Sequence, residues 1–327
     1  MLLIVDRTNL IENWLKNQLD ESYTIEPASS DASFRRYFRV FGRDCTYILM
    51  DAPPEKESIK DFIKISELLI SAGLDAPKVL SFSENLGLIL MNDLGQDTFL
   101  DKLSDKNVSH LYSLARSSLI SMQKKIESKG IKIYSSQLLT EEINFFPDWY
   151  LSKYKNFKLE AEEIVSLKQV FNLIVEYIDS QPKYFVHRDY HSRNLMYPME
   201  SGMPGILDFQ DAVHGPVSYD LVSLLKDAYI EWDEDVILDQ AARYWEEARK
   251  VGLISNLDFS DFYKQFEFTG VQRHLKILGI FSRLSIRDKK NQYLENIPLI
   301  EKYLLSTTER YKELHPLRKI LDKALLK

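Results

Sequence analysis

The chain has 327 residues, 45% of them apolar and 28% charged, with a formal net charge of −7. That balance belongs to an ordinary globular protein with room for about two domains, and it excludes collagen-like and disordered classes. The acidic charge argues against sequence-independent nucleic-acid binding, and the single cysteine, Cys45, rules out an internal disulfide or a thiolate zinc cluster. The N-terminal stretch carries Asp6, Arg7 and Glu12 and does not read as a signal peptide. The longest apolar runs, such as 86–91, fall far short of the ~18 residues that a membrane span needs. A cytoplasmic protein is expected. The first ninety residues mix short β-like runs at 37–40, 46–50 and 86–91 with one helix over about 58–72. Ser58 and Asp61 form a capping pair for that helix, Gly73 closes it, and Ile59, Phe62, Ile63, Leu69 and Ile70 form its apolar stripe. Beyond Gly95 the apolar spacing turns helical through about 104–128, 158–180, 217–230, 236–250 and 259–284. Residues 194–197 and 205–209 interrupt it as a hairpin whose turn centres near Ser201 and Gly202. The expected architecture is α+β, with a small β-rich lobe (1–92) before a large helical lobe (93–327).

Immediately before the hairpin, residues 187–194 spell H-R-D-x-x-x-x-N, and Leu207-Asp208-Phe209 closes it. That spacing suits phosphoryl transfer. A loop carboxylate orients the attacking hydroxyl, an amide five residues later holds Mg²⁺, and a second carboxylate bridges the metal to the phosphates. A direct metal site on His187 and His191 is the competing reading, and it lacks a carboxylate-rich partner cluster elsewhere in the chain.

The run His187 to Asn194, followed by Asp208-Phe209-Gln210-Asp211-Ala212 and Gly215-Pro216-x-x-Tyr219-Asp220-Leu221, resembles the aminoglycoside phosphotransferase superfamily of small-molecule kinases. Within it, residues 30–39, 50–54 and 272–281 are similar to those of the cell-wall-sugar kinases, which phosphorylate N-acetylmuramate and N-acetylglucosamine at the anomeric position. The resemblance implies a two-lobed, protein-kinase-like fold that uses ATP and Mg²⁺ on a small sugar, with no nucleic-acid or membrane partner. It makes Asp189 the catalytic base, gives the metal to Asn194 and Asp208, and sets adenine against a hinge at Asn92, Asp93, Leu94 and Gly95. It leaves open another small-molecule kinase of aminoglycoside, choline or homoserine type, and a nucleotide-binding pseudokinase.

Met50 stands where a protein kinase has its phosphate-binding lysine, and no G-x-G-x-x-G loop precedes it. The Ser- and Arg-rich stretch 29–36 takes that place, and Arg35 or Arg36 is the expected phosphate anchor because a guanidinium can grip phosphate bidentately. Glu67, without a lysine partner, is expected in solvent. Asp220 is divided between favouring a helix dipole and supporting the catalytic loop. Gln272, Arg273, His274 and Lys276 are divided between packing and sugar contact.

Overall fold

The computed structural model describes residues 2–19, 22–30, 34–199 and 202–326. The expected turn centre at Ser201 and residues 31–33 of the Ser- and Arg-rich stretch lie outside them. The chain divides into two compact units, Met1–Asp97 with Met196–Asp211, and Thr98–Leu195 with Ala212–Lys327. A division at 92/93 would have left 196–211 with the second unit. The segment joins the first because Tyr197 N–H donates to Asp97 O (2.8 Å) and Ile206 N–H to Asp75 O (2.8 Å), while Phe209 packs on Phe62 at 4.8 Å between centroids.

The first unit is an antiparallel sheet in the order β1-β2-β3-β5-β4, formed by β1 (Thr24–Ser30), β2 (Arg36–Phe41), β3 (Thr46–Asp51), β4 (Val79–Ser83) and β5 (Leu88–Asn92). Two helices accompany it, α1 (Leu2–Lys16) and α2 (Lys60–Ser71). Ile11, Trp14 and Leu15 lie three and four residues apart, and that helical face packs against Val40, Leu49, Leu88 and Leu90 of the sheet. The β4–β5 turn requires glycine at 87, where φ is +64° and a Cβ would come within 1.9 Å of Ala52 O. Helix α2 starts two residues after Ser58, whose Oγ accepts from Lys60 N–H, and Gly73 (φ +77°) ends it as expected. Its buried face differs from the expected stripe. Ile65 and Ser66 are buried and Ile70 is exposed; Ser66 can be buried there because its Oγ donates to Pro77 O at 2.6 Å.

In the second unit the helices are α3 (Phe99–Lys102), α4 (Val108–Lys125), α5 (Ser136–Ile143), α6 (Ala161–Asp179), α7 (Tyr219–Leu225), α8 (Glu234–Lys250), α9 (Phe259–Asp288), α10 (Ile297–Arg310) and α11 (His315–Leu325), with a π-helical stretch at Phe146–Tyr154. Helix α9 is buried almost all round from Phe266 to Gly279 and forms the axis of this unit. Gly279 lets it touch the start of the π-helical stretch, since a Cβ there would lie 2.3 Å from the Phe145 carbonyl carbon. Strands β6 (Lys183–Val186) and β9 (Val213–Pro216) pair antiparallel, Val186 opposite Val213. The expected hairpin shrinks to two residues a side, β7 (Leu195–Met196) and β8 (Gly205–Ile206). Pro198 and Pro204 lack ladder donors, and Asp208 at φ +59° cannot continue a strand.

Candidate active site

Strand β6 delivers the chain to His187, which is fully buried, and the next residue is strained. Arg188 adopts φ +79°, a conformation that non-glycine residues rarely take. It is gripped from every side. The backbone N–H groups of His187 and Arg188 donate to Asp220 Oδ2 (2.7 Å) and Oδ1 (2.9 Å). The Arg188 carbonyl accepts from Arg273 Nη1 (2.7 Å) and Ser223 Oγ (3.2 Å), and its guanidinium pairs with Glu142. Asp220 is thus the support of the loop, and burial pushes its carboxyl up to about 7 even though two backbone donors favour the anion.

The clamp sets the orientation of the following residue, Asp189. Its carbonyl accepts from His191 N–H (3.0 Å) and from Asn194 Nδ2 (3.0 Å), and Asn194 N–H closes the turn on His191 O (2.9 Å). Because a carbonyl can only accept, this bond identifies the nitrogen end of the Asn194 amide. The Asp189 side chain keeps 40% of its surface accessible and has Arg273 Nη1 3.5 Å from Oδ1. Burial works against its charge, but Arg273, Lys276, His191 and Arg188 outweigh burial and hold the carboxyl well below the usual range. His191 is the opposite case. Burial pushes its imidazole down, so the ring is neutral at pH 7, and it stands edge-on to Tyr229 at 5.3 Å.

Behind the loop lies a buried charge cluster that the motif does not announce. Glu142 accepts from Arg188, from Tyr134 and from Lys276 (3.1 Å), and Tyr134 shares its hydroxyl with that of Tyr219 at 3.1 Å. Of the α9 residues read evenly between packing and sugar contact, Arg273 and Lys276 serve this cluster, Gln272 donates to Leu139 O, and His274 stacks on Tyr303. Among the described residues no group of three or more His, Cys, Asp or Glu side chains could hold a metal, so a direct site on His187 and His191 has no third ligand.

The remaining expected residues belong to the first unit. Arg36 donates through Nε to Asp51 Oδ2 (2.9 Å), and Arg7 donates to Asp51 Oδ1 (2.9 Å), closing an ion cluster beside the buried Met50. Arg35 pairs with Glu57 (2.6 Å) and brings Nη1 to 3.7 Å from Asp208 Oδ1, which also accepts from Gln210 Nε2 (2.8 Å). At the end of β5, Arg39 donates to Asp93 (2.6 Å) and to Gly95 O (2.7 Å), while Asn92 accepts from Lys78 N–H (2.6 Å). Asp93 and Leu94 themselves make no backbone hydrogen bond outside the strand ladder among the described residues. Glu67 is exposed, as expected.

Residues 24–252 match the profile of the phosphotransferase enzyme family. The N-acetylmuramate/N-acetylglucosamine kinase of Pseudomonas aeruginosa is 40% identical over 94% of each chain, and the kinase of that name from Neisseria meningitidis is 41% identical over 95% of this chain and 94% of its own. Among solved structures, the choline kinase of Streptococcus pneumoniae superposes with a TM-score of 0.66 at 14% identity, covering 91% of this chain and 99% of its own. An ADP-bound aminoglycoside phosphotransferase gives 0.59 at 14% over 89% and 96%. The fold is therefore the two-lobed, protein-kinase-like one. With that fold, with a profile spanning both units and with relatives above 35% identity along nearly the whole length, the chain belongs to the phosphotransferase enzyme family.

Proposed function

We propose that this phosphotransferase moves the terminal phosphoryl group of ATP, with Mg²⁺, to the anomeric hydroxyl of N-acetylmuramate and of N-acetylglucosamine. The observation that carries the reading is the clamp on Arg188, which holds a strained backbone so that Asp189, next to it, presents a carboxylate with 40% of its surface accessible. The substrate class comes from the relatives' names at 35–41% identity. Local charge agrees with it. Arg188, Arg193, Arg273 and Lys276 stand around or beside Asp189, a surrounding that disfavours the cationic acceptors of choline or aminoglycoside kinases.

Asp189 orients the acceptor hydroxyl and receives its proton. Held below the usual carboxylate range, it is ionised at neutral pH and too weak a base to remove the proton early, so transfer occurs late, as the O1–P bond forms and the bond between the β,γ-bridging oxygen and the γ-phosphorus of ATP breaks. An anomeric hydroxyl eases that transfer because the ring oxygen withdraws electrons from its carbon. Asn194 and Asp208 would hold Mg²⁺. An amide oxygen and a carboxylate are the hard donors that this ion accepts, and it needs only one or two of them beside the phosphates, so the lack of a larger cluster among the described residues fits. Bound there, the ion would neutralise phosphate charge. Arg35, beside Asp208, is the phosphate anchor in this reading, and the backbone of Asp93 and Leu94 receives adenine. No helix of the described residues is long and apolar enough to cross a membrane.

The test supplies ATP and Mg²⁺ with each free sugar and with its 1-O-methyl glycoside, which keeps every other hydroxyl. Both free sugars are phosphorylated and neither glycoside is. Asp189→Asn loses about 10²- to 10⁴-fold in kcat, with a melting temperature near wild type. Comparable product from a methyl glycoside removes the anomeric assignment, and less than a tenfold loss in Asp189→Asn removes the base assignment.

A further inference from the structure

N-acetylmuramate is N-acetylglucosamine with a lactyl ether on O3, and that ether ends in a carboxylate ionised at neutral pH. An enzyme that takes both sugars needs a place where one acceptor brings an anion and the other brings none. The cations near Asp189 can be accounted for one at a time. Arg188 and Lys276 share the Glu142 carboxylate, and Arg273 is engaged with the Arg188 carbonyl and with Asp189 itself. Arg193 differs from all three. It is exposed, and among the described residues no carboxylate lies within ion-pairing distance of it.

Arg193 is nevertheless positioned. Its guanidinium carbon lies 3.7 Å from the centroid of the Tyr229 ring, a separation reached by a guanidinium lying on the ring face. Tyr229 is itself held, its backbone N–H donating to Asp227 Oδ1 (3.0 Å) and its ring packed against His191 at 5.3 Å and Phe281 at 6.3 Å. A guanidinium stacked in this way uses its face on the ring and leaves its N–H donors, all of which lie in its plane, directed outward in a fork that matches a carboxylate. The loop also brings the two groups together. Asp189 and Arg193 are four residues apart on one turn, and His191 and Tyr229 each lie within electrostatic reach of both. On the pyranose, C1 and C3 are two ring bonds apart, so the groups that meet O1 and the lactyl carboxylate must come from neighbouring points on the protein.

We propose that Arg193, stacked on Tyr229, binds the lactyl carboxylate of N-acetylmuramate and thereby sets the preference of the enzyme for an acidic over a neutral acceptor sugar. The inference rests on the proposed sugar-kinase function and deepens it. Its test compares kcat/KM for N-acetylmuramate, its methyl ester and N-acetylglucosamine in wild type, Arg193→Gln and Arg193→Lys. In Arg193→Gln the ratio of acid to neutral sugar falls about tenfold or more, the scale of one charge-assisted hydrogen bond, and the change lies mainly in KM. Arg193→Lys recovers part of the ratio, because it restores the charge without the planar fork. The methyl ester keeps the lactyl bulk without its charge and does not share the loss. A ratio that moves less than twofold, or an ester that loses as much as the acid, overturns the inference while leaving the sugar-kinase function standing. Failure of wild type to phosphorylate either free sugar removes that function and the inference with it.

Discussion

Each unit buries a carboxylate between two cations, and the two arrangements end differently. In the first, Asp51 at the end of β3 is fully buried and takes Arg7 from α1 on one oxygen and Arg36 from β2 on the other. The cluster closes on itself. It ties the N-terminal helix to the sheet, and it occupies the position next to Met50, where a protein kinase would carry its lysine. In the second unit, Glu142 likewise takes Arg188 and Lys276, but Arg188 passes the order on. Its carbonyl receives Arg273, and Arg273 reaches the accessible carboxylate of Asp189. The same motif, a carboxylate between two cations, therefore closes on itself in one place and leads to the accessible carboxylate of the proposed base in the other. What separates them is a third cation and a strained residue.

The sharpest way to break this comparison is to remove the central carboxylates. Glu142→Ala leaves two nearly buried cations without a counter-charge and is expected to cost about 3–5 kcal/mol of stability. Asp51→Ala is expected to cost less, about 1–3 kcal/mol, because Arg36 is 45% exposed and can turn to water. Urea unfolding with a constant slope measures both. If Asp51→Ala is the more costly of the two, the first unit's cluster is not the looser one and the contrast fails.

Arg273 sharpens the comparison, because it links the Glu142 cluster to Asp189, the proposed base. Burial is the largest influence on Asp189 and raises its pKa, whereas Arg273 heads the cations that hold it down. A depressed carboxylate stays ionised on acidification, so Asp189 itself is expected to add no acid limb to wild-type kcat/KM above about pH 5. With Arg273→Gln the balance tips toward burial, the pKa rises and the acid limb moves up into the measurable range, with about a tenfold loss in kcat at neutral pH. Arg273→Lys returns the limb toward wild type, because it restores the charge. A variant that loses stability but keeps the wild-type pH profile would show that Arg273 only packs.

The legible parts of the molecule were those whose cause is local. Helix α2 announces itself by its apolar spacing and by Gly73, and the loop proposed to be catalytic stands out by the residues of its motif within eight positions. What supports that loop comes from far along the chain. Glu142 precedes Arg188 by 46 residues and Arg273 follows it by 85, and the packing of α9 against α5 and α7 brings them together. Strands β6 and β9 are four residues each, too short to show an alternation, and α1 hides its stripe of Ile11, Trp14 and Leu15 behind an apolar start. Arg36 illustrates a signal that was present but needed register. Once β2 and β3 are paired, Arg36 lies directly opposite Asp51, and opposite charges in that position pair.

That register leads to the smallest effect and the finest test of how the first unit departs from a protein kinase. Arg35 precedes β2 and Arg36 opens it, and the two side chains take different partners, so one can serve the fold while the other serves a ligand. Arg36 is engaged with Asp51, whereas Arg35 is held by Glu57 within 3.7 Å of Asp208, the carboxylate assigned to the metal. Arg35→Ala is therefore expected to raise KM for ATP about threefold to tenfold, with little change in KM for the sugar, because a partly paired guanidinium contributes about 1 kcal/mol to phosphate binding. Arg36→Ala is expected to change KM for ATP by less than about twofold and instead to lower the melting temperature, since it removes one side of the Asp51 cluster. Steady-state kinetics at saturating sugar, with a thermal melt of each variant, distinguishes the two. The reverse result, an ATP effect at Arg36 and a stability effect at Arg35, would mean that the Asp51 cluster opens when nucleotide binds and that the first unit keeps its anchor in reserve on the carboxylate beside Met50.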